Sequence, residues 1–331
     1  MDACTPAFKS RRLRGSETLR RMIRETRLSP SALVYPLFIR EGRNIEEELP
    51  SLPGQTRYSP DTAAKGIEAA LRAGVCSFLF FGIPETKDES GRGAYGENGA
   101  VQQTLKNVKN IFKNDIQIIT DVCLCEYTSH GHCGLINNNK IDNDSTLPLL
   151  AQTALSHARS GSDIIAPSGM MDGSVLAIRA ALDADGFTEI PIMSYAAKYA
   201  SAFYGPFREA ADCAPRFGDR KTYQMDYHNS REALKRIQSD IEESADIIIV
   251  KPALPCLDII SKASELVKAP IAAYSVSGEY AMIKAAAASG FIDEYTIMCE
   301  SAVAVFRAGA NILITYFAKE LAKAIRAGDI G

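Results

Sequence analysis

Apolar residues along the chain fall into short runs of about seven, separated by longer segments in which they recur at helical spacing. The runs at Leu33–Ile39, Cys76–Ile83, Ile116–Cys125, Asp163–Ser168, Ile190–Lys198, Ile247–Lys251, Ile271–Ser277 and Asn311–Phe317 read as eight buried strands. Consecutive β-branched residues such as Ile247, Ile248, Ile249 and Val250 are what a parallel strand covered on both faces requires. Between the strands, amphipathic spacing predicts helices over Thr62–Arg72, Val101–Phe112, Leu147–Ser160, Ser174–Asp185, Asn229–Ser244 and Cys256–Lys268. Two more follow at Glu279–Ser289 and Asp293–Ala308, and the last at Ala318–Ala327. Ser59-Pro60-Asp61 opens the first of these helices with proline just inside, and Gly74 closes it. Alternation of strands with helices predicts a parallel sheet, and eight repeats predict an α/β (β/α)8 TIM barrel over an open doubly wound sheet. The Gly91–Gly96 run, which has dinucleotide-loop spacing, lies deep in a polar loop and not at a strand-to-helix turn.

Ahead of the barrel, residues 1–30 form an extended N-terminal arm, with helical character at Thr18–Thr26, and residues 31–331 form the catalytic barrel domain. Between Lys9 and Arg27 the arm carries eight basic side chains against Glu17 and Glu25. That charge is expected to meet an acidic face of a neighbouring subunit or to be solvated.

Composition changes the picture little. Of 331 residues 46% are hydrophobic and 23% charged, and 37 basic against 40 acidic groups leave a net charge of −3. This argues for a globular protein with a large core and against nucleic-acid or membrane partners. No apolar run approaches a membrane span, and the Arg-rich start lacks the apolar stretch of a signal peptide, so a cytoplasmic location is expected. Eight cysteines in such a compartment argue against a disulfide framework.

Unusual residues gather where a barrel does its chemistry, at the carboxyl ends of the strands. Two neighbouring strands end in lysine, Lys198 and Lys251. Side by side, each would lower the other's pKa, and burial would add to the effect, giving amine nucleophiles suited to Schiff bases with a carbonyl substrate. A lone strand-end lysine would more often reach for solvent. Cys123, Cys125 and Cys133, with His130 and His132 between them, have the spacing of a three-thiolate zinc site with an open fourth position; the alternative is two small apolar residues on one strand face and an unrelated third. The polar Ser129–Gly134 loop favours the metal. Cys4, Cys76, Cys213, Cys256 and Cys299 have no ligand spacing. The segment of about 30 residues after Lys198 has the length of a lid, and its Arg208, Arg220 and Gln224 suit a carboxylate, although surface ion pairs would use arginines equally well. Asp121 and Ser168 stand at adjacent strand ends as candidates for proton transfer or positioning.

Several motifs together resemble the porphobilinogen synthase (5-aminolevulinate dehydratase) family: Asp121–Cys125, Gly131–Gly134, Phe203–Arg208, Gly218–Gln224, the two lysine segments and Val276–Met282. The resemblance covers nearly the whole chain. It implies a (β/α)8 barrel, a homo-octamer in which the arm wraps a neighbour, and condensation of two 5-aminolevulinate molecules to porphobilinogen with loss of two waters, a step towards haem. Position by position, Lys251 resembles the Schiff-base lysine of the propionate-side site, with Ser277 and Tyr316 as carboxylate partners. Lys198 resembles the second Schiff-base lysine, with Arg208, Arg220 and Gln224 holding the other carboxylate. Cys123, Cys125 and Cys133 match the catalytic zinc ligands of the zinc-dependent branch, and Glu232 resembles the ligand of an activating magnesium. Gly169 stands where many relatives carry aspartate. Two other readings are a class I aldolase, which needs one lysine and no thiolate metal, and a barrel that only binds zinc.

Overall fold

The computed structural model describes residues 9–330. Cys4 and the first residues of the arm lie outside them. Eight parallel strands form the centre: β1 Leu33–Arg40, β2 Ser77–Ile83, β3 Gln117–Val122, β4 Ile164–Pro167, β5 Met193–Lys198, β6 Ile247–Lys251, β7 Ile271–Ser275 and β8 Ile312–Thr315. Their order, β4-β3-β2-β1-β8-β7-β6-β5, is that of a TIM barrel. The seam between β4 and β5 is held by the single bridge Ile165–Ile192, with the Ile165 amide donating to the Pro191 carbonyl at 3.0 Å. Pro191 has no amide to donate, which limits pairing along this edge.

All eight expected strands are present, and their ends differ in an instructive way. β3 stops at Val122, so Cys123 and Cys125 lie in the turn beyond it and do not alternate along a strand. β7 stops at Ser275, and Ser277 opens the helix Ser277–Ala288; Glu279 accepts from the Val276 amide at 2.6 Å and from Leu254 N at 2.7 Å, tying that helix start to the end of β6. The Arg40–Tyr58 loop contains an antiparallel pair, Glu46–Glu48 with Thr56–Tyr58, and a hairpin, Leu135–Asn137 with Lys140–Asp142, precedes a helix that starts at Asn143. Asp142 caps that helix by accepting from the Ser145 amide at 3.1 Å, which is why it begins before Leu147. In the arm the helix is shorter than expected, Glu17–Met22, and neither it nor the turn Ser10–Arg14 buries a residue. Among the described residues no helix is long and apolar enough to cross a membrane.

At the amino-terminal end of the barrel one device recurs. Asp163, Asp246 and Asn311 each stand just before a strand and exchange two hydrogen bonds with one residue at or just ahead of the start of the preceding strand in sequence. The Asp163 amide donates to Ile118 O at 3.0 Å while its carboxylate accepts from Ile118 N at 2.7 Å. Asp246 does the same with Ile192 at 2.9 and 2.8 Å, and Asn311 with Ile271 at 2.7 and 2.9 Å. A strand's first amide has no ladder partner of its own, and a short side-chain acceptor supplies one.

Candidate active site

β5 and β6 start in simple register, Met193 opposite Ile247 and Ser194 opposite Ile248. Beyond this, β5 bulges by one residue, so that Ala197 faces Val250 and Lys198 faces Lys251. Without the bulge Lys251 would stand beside Ala197, and strand alternation would send Lys198 away from the side on which Tyr195 lies. With it, both lysines are buried and share the Tyr195 ring, whose centroid is 5.4 Å from Lys198 Nζ and 5.2 Å from Lys251 Nζ. Lys198 Nζ donates to Ser168 O at 2.5 Å, spanning the thinly paired β4–β5 seam.

Lys251 Nζ is enclosed by aromatic faces: Tyr274 at 4.3 Å, Tyr204 at 5.0 Å and Phe207 at 5.3 Å, in addition to Tyr195. Burial, and then the neighbouring Lys198, lower its pKa to about 7. Asp121, the last acidic residue of β3, is pushed up to about 7 by burial and by the Glu126 carboxylate, against the pull of both lysines. Its Oδ2 accepts from Ser168 Oγ at 3.0 Å, and its Oδ1 is buried without a partner. The two residues named as proton-transfer candidates therefore touch each other and adjoin Lys198.

Cys123, Cys125 and Cys133 are buried, and their sulfurs lie within 4.8 Å of one another, with Cys123 and Cys125 at 3.3 Å. Shared hydrogen bonds with Cys125 and Cys133, and then burial, push the Cys123 thiol well up. Three convergent buried sulfurs are a soft donor set that fits zinc, whose binding displaces the thiol protons. Gly131–Gly134 of the polar loop are buried as well, because their groups are satisfied: Thr128 donates to His132 O at 2.9 Å, and the His132 ring meets Tyr223 Oη at 3.0 Å and Phe217 O at 2.9 Å.

His132 thereby fastens the segment after Lys198 over the barrel mouth. That segment is not a bare loop; Gly205–Ala210 is a short helix that carries Phe207 against Lys251. Ser277 Oγ accepts from the Phe207 amide at 3.0 Å and donates to Phe203 O at 3.2 Å. Tyr316 Oη lies 3.2 Å from Tyr274 Oη, one ring from Lys251. Arg220 donates to Gly131 O at 2.9 Å and Cys213 O at 2.6 Å, and the penalty of burying its charge is opposed by Cys133, Cys125 and Cys213 in their thiolate forms, which raise its pKa. Gln224 is buried with neither amide atom partnered, and the Nε atoms of Arg208 and Arg220 are also without partners. Gln224 opens into a cleft of about 870 Å³ shared with Lys221, Tyr223 and Glu232. Glu232 is exposed, accepts from Asn229 Nδ2 at 3.0 Å, and stands apart from the lysines and thiols. Gly169 leaves ordinary contact distance, 3.5 Å, between an added Cβ and Cys133 O.

Residues 7–324 match the family model described as delta-aminolevulinic acid dehydratase. The chain is 53% identical over 323 residues to the delta-aminolevulinic acid dehydratase of Archaeoglobus fulgidus, covering 97% of this chain and 99% of that one. The Halalkalibacterium halodurans dehydratase is 51% identical over 315 residues, 95% and 96% of the two chains. The chain belongs to the delta-aminolevulinic acid dehydratase family. It is an enzyme of that family, which sets aside the aldolase reading and the reading of a barrel that only binds zinc. The solved Toxoplasma gondii dehydratase, in complex with the reaction product porphobilinogen, superposes with a TM-score of 0.92 at 42% identity, covering 96% of this chain and 91% of that chain.

Against this dehydratase architecture, sequence reasoning left out four residues that line the site. Tyr195 lies beside both lysines and Tyr274 beside Lys251. Glu126, adjacent to Cys125, is buried beside the thiols with its Oε2 3.2 Å from Cys125 Sγ. Cys213 comes from the overlying segment, with no spacing relation to the other cysteines.

Proposed function

We propose that the chain condenses two molecules of 5-aminolevulinate into porphobilinogen with release of two waters, using Lys251 and Lys198 as the two amine nucleophiles. The observation that carries this is the β5 bulge, which sets two buried lysines opposite each other on adjacent strands. A single such amine activates one ketone; a buried pair can activate both substrates as imines.

Only an unprotonated amine can attack a ketone, and a Lys251 pKa near 7 leaves a large neutral fraction at neutral pH. Lys251 Nζ adds to one ketone carbon; the carbinolamine then loses water to give an imine, and proton loss from the adjacent carbon gives an enamine. Lys198 forms an imine with the second substrate, losing the second water. The enamine carbon of one substrate adds to the imine carbon of the other. The free amino group of the electrophilic partner then displaces the lysine from the remaining imine carbon to close the ring, and elimination releases the other lysine, so that both amines return free. Asp121, hydrogen-bonded to Ser168 and poised near 7, takes up and returns the protons that each step moves. The rings around Lys251 exclude water and favour the neutral amine.

In this reading Ser277 and Tyr316 orient the carboxylate of the substrate on Lys251. Arg208, Arg220 and Gln224 take the carboxylate of the substrate on Lys198, and the unpartnered atoms of these three await an acceptor or donor. Cys123, Cys125 and Cys133 would hold zinc, which supplies a Lewis acid at the mouth. For Glu232 the fit is poorer: among the described residues it joins no group of three metal donors, so magnesium there would depend on water and on groups outside one chain. Exposed Leu13, Met22 and Ile23 on the arm suit burial against a second copy, in line with a homo-octamer.

The test is colorimetric detection of pyrrole from 5-aminolevulinate by the purified, zinc-supplied protein. Product dependent on both Lys198 and Lys251 is expected; no pyrrole from folded, zinc-loaded protein would refute the reading.

A further inference from the structure

A second set of metal donors overlaps the first. Cys125 Sγ, a Glu126 carboxylate oxygen and Cys213 Sγ also lie within 4.8 Å of one another, and all three residues are buried. Cys213 belongs to this set and not to the group formed by Cys123, Cys125 and Cys133. It does not therefore close the triad's open position as a fourth ligand. We propose that Cys125, Glu126 and Cys213 form a second position for a thiophilic divalent cation of the zinc class, with the Cys125 thiolate shared between the two ions.

Three observations support this. Glu126 is 3% exposed and its Oε2 lies 3.2 Å from Cys125 Sγ, so a buried carboxylate already faces the sulfur that the two positions would share. Arg220 Nη2 donates to the carbonyls of Gly131 and Cys213. Those same bonds fix the Cys213 backbone, whose amide also donates to Arg208 O at 2.9 Å, so the sulfur is held in place before any metal arrives. Two thiolates and one carboxylate make a set that selects zinc-like ions over magnesium or calcium, and a thiolate can bridge two such ions.

The proposal rests on the metal reading of the triad only through the shared Cys125. Its test is titration of the reduced, chelator-stripped full chain with Cd2+ alone, following thiolate-to-cadmium charge-transfer absorption. Wild type should take up two equivalents that carry this absorption and Cys213→Ser one. Equal uptake by wild type and Cys213→Ser overturns the proposal, whether or not the triad binds. If Cys213→Ser loses the only equivalent while a Cys123→Ser/Cys133→Ser double variant keeps it, the second position stands and the triad reading fails. Should Cys213→Ser not fold, cadmium NMR of wild type decides: two resonances, one with mixed sulfur and oxygen donors, are expected, and a single resonance overturns the proposal.

Discussion

The two ends of the barrel treat polar groups in opposite ways. At the amino-terminal end, Asp163, Asp246 and Asn311 each exchange two hydrogen bonds with a neighbouring strand, and Asp163 also accepts from Lys109 Nζ at 2.5 Å. At the carboxyl-terminal end, Asp121 Oδ1, Tyr195 Oη, the Gln224 amide and the Nε atoms of Arg208 and Arg220 have no partner, and Lys251 is enclosed by rings. Polar groups satisfied within the chain stabilise the fold; buried groups left without partners lower stability and are free for a substrate. Substitutions at the two ends should therefore separate stability from activity.

The largest effect is expected at the proposed nucleophile. Lys251→Met should lower pyrrole formation by roughly ten-thousand-fold or more, while its denaturation midpoint does not fall, because an amine that resists burial has been removed. A midpoint well below wild type would show that Lys251 also holds the fold and would blur the contrast.

The pH dependence sharpens the same point. Folded Lys251 gives up its proton at about 7, whereas an unfolded lysine keeps it to near 10.5. Between these values the unfolded chain binds more protons, so stability should rise with pH through that window, and Lys251→Met should flatten the rise. Reductive trapping of substrate on Lys251 should likewise increase through pH 7 and level off above it. A trapping rate still climbing in the range of an ordinary lysine would contradict the lowered pKa.

Gln224→Met should raise KM roughly tenfold, the worth of one hydrogen bond to substrate, and stabilise the chain by about 1 kcal/mol. Steady-state kinetics together with urea denaturation check both halves. At the opposite end, Asp246→Ala should cost about 1 kcal/mol by orphaning the Ile192 amide, with turnover per folded molecule unchanged. Asp246→Asn, which keeps a carbonyl acceptor, should restore most of that stability.

Much of this contrast was legible in the sequence. Runs such as Ile247–Val250 announce a doubly covered strand, and two lysines at strand ends announce an amine pair. The bulge was not legible, since a one-residue shift of register is set by contacts between β5 and β6 and leaves no mark in either strand alone. Cys123 and Cys125 read as strand residues because apolar alternation continues past Val122, where the backbone has already turned. Cys213 carried no local signal; only the folding of the segment after Lys198 over the mouth sets it beside Glu126. The strand-start caps show in the sequence as Asp or Asn before isoleucine, yet their role depends on a partner strand that the local pattern does not name.

The central claim is that Lys198 and Lys251 each form an imine with substrate. Borohydride reduction during turnover of 5-aminolevulinate, followed by peptide mass spectrometry, tests it most directly. The account predicts substrate adducts on the peptides carrying Lys251 and Lys198 and on no other lysine; full turnover with neither lysine modified would contradict it.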